Sequence, residues 1–102
     1  MNILEAIKNI DEGKIIRKPA MYSSTIFYVQ ATLIPFNEYK IAEIYVRQKY
    51  RCAEMPHTVS ELKWDAVENI DIDNIRAEDY ELVTEEEMIK EIQEAWKRGN
   101  EQ

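Results

Sequence analysis

A small α+β domain is predicted, an antiparallel sheet with an N-terminal amphipathic helix and a C-terminal helix. Three observations predict it. Apolar residues recur at three- and four-residue spacing at both ends of the chain. Between them, Thr25–Leu33 and Ile41–Arg51 alternate with a period of two across a break that carries Pro35 and Asn37. At 102 residues, with 45% hydrophobic residues and only two glycines and three prolines, the chain has the profile of one globular domain, residues 1–102.

The first helix is expected over residues 2–12. Ile3, Leu4, Ile7 and Ile10 mark its apolar side, Asn2 can cap it, and Gly13 can end it in the left-handed conformation. Ile15 and Ile16 begin a short strand that Pro19 stops. Arg17 and Lys18 at its end are either a charged edge that deters strand addition or a clamp for an anion. Thr25–Leu33 carries bulk on both sides, so a central strand is expected, joined to Ile41–Arg51 as an antiparallel hairpin.

Ile41–Arg51 has two different faces. Ala42, Ile44 and Val46 form a small apolar one. Ile41, Glu43, Tyr45, Arg47, Lys49 and Arg51 form one that is aromatic and, on balance, cationic. A half-buried strand with a core face and a working face reads this way, and so does a strand with an ordinary solvated face. Tyr28 can share the polar face with Tyr45 and Arg47.

Residues 51–58 break the pattern and are expected as loop. Val59–Trp64 is expected as a further strand or edge, with Trp64 a core or interface anchor. Residues 65–73 are acidic, with Val67, Ile70 and Ile72 expected to point inward. Asp73 is expected to cap one helical turn through Ala77, and Tyr80, Leu82 and Val83 to form a short strand. Thr84 and Glu87 match a capping box for the last helix. Its stripe is Met88, Ile89, Ile92, Ala95 and Trp96, its end Gly99.

Composition narrows the function. Thirteen Lys and Arg against twenty Asp and Glu give a net charge of −7, which disfavours general nucleic-acid binding. The charge is uneven: residues 13–51 hold seven bases and two acids, residues 52–102 five bases and fifteen acids. Cys52 is the lone cysteine, which rules out an internal disulfide and fits a reducing cytosol. Residues 1–12, amphipathic and carrying acids, do not read as a signal peptide, and no apolar run approaches the roughly 20 residues that span a bilayer. His57 and Cys52 fall short of a zinc ligand set, and no orienting partner or oxyanion element accompanies them as a nucleophile and base. Asp65, Glu68, Asp71 and Asp73 lack the glycine and terminal glutamate of a calcium loop. No cofactor, metal or catalytic residue is expected.

Three stretches together carry a family resemblance. One runs from Ala6-Ile7 through Glu12-Gly13-Lys14-Ile15-Ile16-Arg17, an opening helix passing into a basic strand. The second is the aromatic-rich hairpin. The third is Asn74-Ile75-Arg76-Ala77-Glu78-Asp79-Tyr80-Glu81-Leu82. With these the chain resembles the second family of Thoeris anti-defence proteins, small phage-encoded sponges. The resemblance covers roughly residues 3–17 and 74–83. Tyr80 stands where the family has Trp, Asn74 where it has Asp, and Pro19, Ala20 and Met21 precede Tyr22 where it has Trp. The resemblance implies that residues 1–83 are the family-like α+β core and that the C-terminal helix, 84–99, running from Glu85 onward, is an extension of it.

The resemblance implies a compact α+β domain that forms homo-oligomers, dimers or tetramers. It implies that the domain sequesters a cyclic nucleotide immune signal in the infected cell's cytosol without cleaving it. For such a ligand Arg17, Lys18, Arg47 and Lys49 are the candidates for phosphate, and Tyr22, Tyr28 and Tyr45 for the base. Asp79 matches the family's position and would meet a ribose or base amino group, with Tyr80 beside it. Two other functions are open from the same residues: an acidic inhibitor that binds a host defence protein through the second half of the chain, and a structural phage protein with no ligand.

Overall fold

The computed structural model describes residues 1–20, 24–34, 40–46 and 54–100. Among these, five strands form one antiparallel sheet between two helices. Helix α1 (Ile3–Asp11) leads into β1 (Ile15–Pro19), β2 (Thr25–Gln30) and β3 (Ile41–Val46). A two-residue strand β4 (Asp65–Ala66), a short helix α2 (Ile72–Arg76), strand β5 (Glu81–Val83) and helix α3 (Glu85–Asn100) complete the order. The strands lie in the order β4-β3-β2-β1-β5, which places β2 at the centre. Its register pairs Thr25 with Val46 and Tyr28 with Glu43 on one side, and Ile16 with Tyr28 on the other.

Because side chains alternate across a strand, this register sorts the sheet into two faces. One carries Ile15, Phe27, Val29, Ala42, Ile44 and Val46, and α3 covers it with Met88, Ile89, Ile92 and Ala95. The other carries Ile16, Ile26 and Tyr28, and α1 covers it with Ala6 and Ile10, beside Tyr80. No helix among the described residues is long and apolar enough to cross a membrane.

Local chemistry fixes the helix ends. Asn2 Oδ1 accepts the Glu5 N–H at 3.0 Å and caps α1. Gly13, at φ +83°, ends it. Its N–H reaches the Ile10 carbonyl at 2.9 Å and the Lys14 N–H reaches Asn9 at 3.0 Å, the double closure that a left-handed glycine permits. At α3, Thr84 Oγ1 accepts the Glu87 N–H at 3.1 Å, and Glu87 Oε1 in turn faces the Thr84 N–H at 3.4 Å and hydroxyl at 3.1 Å. Thr84→Ala removes that acceptor and is expected to lower stability by about 1 kcal/mol in urea unfolding. An unchanged midpoint would contradict the capping role.

Several expectations are corrected. Val59–Trp64 is not a strand: Val59–Glu61 forms a 3-10 turn. Val59, Leu62 and Trp64 all enter the α3-side core, and the buried Trp64 Nε1–H donates to the Val59 carbonyl at 3.0 Å, which closes the turn. The β2 ladder stops at Gln30, Ala31–Leu33 winds into a 3-10 turn, and Ile34 tucks under the sheet. Ile70 and Ile72 enter neither core; they are 41% and 60% exposed. Helix α2 starts after Asp71, and α3 continues past Gly99 to Asn100. Of the Ile41–Arg51 strand, residues 47–51 lie outside the described residues.

Candidate functional site

The site is built where three strands and α1 leave a gap. On the α1 face, β2 presents Tyr28, β3 presents Glu43 and Tyr45, and the segment before β5 presents Tyr80. Ala6, Ile7 and Ile10 of α1 close one wall; Val67, Asn69, Ile70, Asp71 and Asn74 close another. They enclose a pocket of about 230 Å³. Its floor is aliphatic and its polar groups are few and convergent, the usual character of a small-molecule site.

The tyrosines hold distinct positions. The rings of Tyr28 and Tyr80 are 6.3 Å apart at 54°, a tilted aromatic pair. The Tyr80 hydroxyl donates to the Asn74 carbonyl at 2.6 Å, which ties α2 to the pocket rim. Tyr45 is 40% exposed, and its hydroxyl accepts from Ser24 Oγ at 2.9 Å. Burial pushes the phenols of Tyr28 and Tyr80 above their ordinary range, so both are neutral hydroxyls. Burial, then the charges of Asp65 and Asp71, pushes the Glu43 carboxyl up.

Lys18 lies on the same sheet face, its Nζ 6.0 Å from the Tyr80 ring centroid and 4.0 Å from Asp79. Asp79 itself is exposed. Arg17 is elsewhere. Its odd place in β1 turns it to the α3 face, where Nε and Nη2 each meet a Glu91 oxygen at 3.0 Å and Nη1 meets Glu81 at 3.1 Å. Thr25 Oγ1 donates to the same Glu91 at 3.1 Å.

The sheet therefore brings together Tyr28, Tyr45 and Tyr80, with Lys18 and Asp79 flanking Tyr80. It does not bring Arg17 to them, and the expectation of one site joining Arg17 to the β3 tyrosine face is corrected by strand alternation. On the α3 face Glu91 and Glu81 hold that cation in ion pairs. Tyr22, Arg47 and Lys49 lie outside the described residues. Sequence reasoning passed over Glu43 as a site residue, although the same alternation that selected Tyr45 puts it on the same face. Asn69, Asp71 and Asn74 had no such signal, since they reach the pocket through an irregular segment.

Chemically the pocket offers aromatic faces, a neutral phenol and carboxylates. That inventory suits a flat organic molecule carrying hydrogen-bond donors. No family model matches the chain, and neither does any curated protein or solved structure.

Proposed function

We propose that this chain is a binding protein that holds a nucleotide-type ligand in the Tyr28–Tyr45–Tyr80 pocket and releases it uncleaved. The observation that carries the reading is the pocket itself: three tyrosines converge over an aliphatic floor from three separate strand regions. Stacking a base on an aromatic ring contributes about 1–3 kcal/mol. The pocket is smaller than the roughly 300–1,000 Å³ of drug-sized sites, so it suits a base, with sugar and phosphate outside. Lys18, beside Tyr80, is the cation that phosphate would approach on that face. The resemblance supplies the biological setting: a phage anti-defence protein, acting in the host cytosol as a homo-oligomer, that sequesters a cyclic nucleotide immune signal.

The test is titration calorimetry with a panel of cyclic mono- and dinucleotides and cyclic ADP-ribose, followed by mass spectrometry of the recovered ligand. At least one is expected to bind and to be recovered intact. Tyr45→Ala is expected to weaken that binding by about 1–3 kcal/mol. Absence of binding across the panel, or recovery of a cleaved product, contradicts the reading.

A second reading has its own observation. Ile70, Ile72 and Ile75 are exposed within a segment, residues 65–75, that also exposes Asp65, Glu68, Asp71 and Asp73, and exposed apolar side chains grouped among acids can mark a protein contact. An inhibitor of a host protein would use that surface. Pulldown of a host partner that weakens as salt rises supports this reading over the first.

A further inference from the structure

We infer that Glu43 is the specificity residue of the pocket, reading a pair of adjacent N–H donors on the edge of a planar ligand. The inference rests on the ligand-binding reading above and names the chemistry that the pocket selects. Glu43 pairs across the strands with Tyr28 on one side and Asp65 on the other, and these cross-strand neighbours share a face. Like charges directly opposite are unfavourable, and Asp71 lines the same pocket. The Glu43 carboxylate nonetheless accepts no hydrogen bond and forms no ion pair among the described residues. Beside it Tyr28 is 8% exposed, yet its hydroxyl also has no hydrogen-bond partner among them. That hydroxyl opens on the pocket and is not sealed in the core. Two unpartnered polar groups on neighbouring strands thus face one cavity lined by aromatic rings.

A carboxylate only accepts, and its two oxygens match two parallel N–H groups. A ring bearing such a pair would satisfy Glu43, lay its flat body against the tyrosines, and offer an acceptor to the Tyr28 hydroxyl. Two kinds of molecule present that edge: a 2-amino-lactam ring, as in guanosine, and an amidinium, as in benzamidine. Adenosine presents no such pair toward a carboxylate. Inosine keeps the ring N–H and lacks the amino group.

The experiment is titration of guanosine, inosine, adenosine and benzamidine into the whole protein and into Glu43→Gln, followed by the shifts of the tyrosine ring signals in NMR. The variant keeps the side-chain size and relieves the carboxylate crowding, so a folded spectrum is expected. Guanosine binding at least tenfold more tightly than inosine and adenosine, with the preference lost in Glu43→Gln, supports the inference. Benzamidine binding alone, again lost in the variant, also supports it and overturns the nucleotide reading. Adenosine or inosine binding as tightly as guanosine overturns the inference and leaves the nucleotide reading standing. So does an unaltered preference in Glu43→Gln, and binding of none of the four overturns the inference as well.

Discussion

Phe27→Ala is expected to cost about 4 kcal/mol of folding free energy, the largest loss of any single change considered. Phe27 is 0% exposed, sits on the central strand, and faces α3 within the cluster that holds Val29, Ile44, Met88 and Ile92. The cost has two parts. Removing the ring forfeits its transfer out of water, and β2, held by ladders on both sides, cannot collapse into the space left behind. A domain of this size has only about 5–15 kcal/mol in total, so the variant should approach the edge of folding. Urea unfolding with the slope unchanged is the measurement. A loss below about 1 kcal/mol would mean that α3 does not pack on this face.

Arg17→Ala is expected to cost about 2 kcal/mol, the range for hydrogen bonds to charged groups. The side chain bridges β1 to α3 through Glu91 and to β5 through Glu81, and its pair with Glu91 is part-buried. Much of the loss comes from Glu91, left in a partly desolvated place with the Thr25 hydroxyl and the charge of Arg98 to answer it. Arg17→Met combined with Glu91→Leu is therefore expected to recover most of the stability.

The same pair fixes a pH dependence. Burial alone would raise the Glu91 carboxyl, but the hydrogen bond and charge of Arg17 outweigh it and hold the group below the ordinary carboxylate range. A depressed folded value contributes stability above the unfolded pKa, and that contribution disappears as pH falls through the folded value. Parent protein should lose this increment on acidification, and Arg17→Ala should lack it at every pH. Identical acid profiles for the two would contradict the assignment.

Much of the fold was legible because its signals are local. Period two in Thr25–Gln30 and Ile41–Val46 gave the central hairpin and the sorting of both faces. Asn2, Gly13 and the Thr84–Glu87 pair gave the helix ends, since each acts within one turn of itself. What escaped depends on tertiary contact. Val59, Leu62 and Trp64 turn to one core because an indole N–H finds a carbonyl five residues back, a choice that no alternation encodes. Ile72 and Ile75 sit at apolar spacing in α2 yet remain exposed.

The site was half legible for the same reason. Tyr28, Tyr45 and Tyr80 each stood out by type, and strand period placed the first two on one face. Arg17 was misplaced because a cation beside a lysine at a strand end looks alike whichever face it turns to. Its partner Glu91 is 74 residues away in sequence. Glu43 shares the tyrosine face by strand period, but its type gave no site signal, and the charges that act on its carboxyl among the described residues, Asp65 and Asp71, come from later in the chain.

Ligand occupancy of the α1 face of the sheet is expected. Its most direct measurement is a titration of the cyclic nucleotide panel into protein with isotope-labelled tyrosines and arginines. The ring signals of Tyr28, Tyr45 and Tyr80 are expected to shift together and saturate at one ligand concentration, while the Arg17 side-chain signals stay in place. Shifts confined to Arg17 and the α3 face, with the three tyrosines unmoved at saturation, would contradict it.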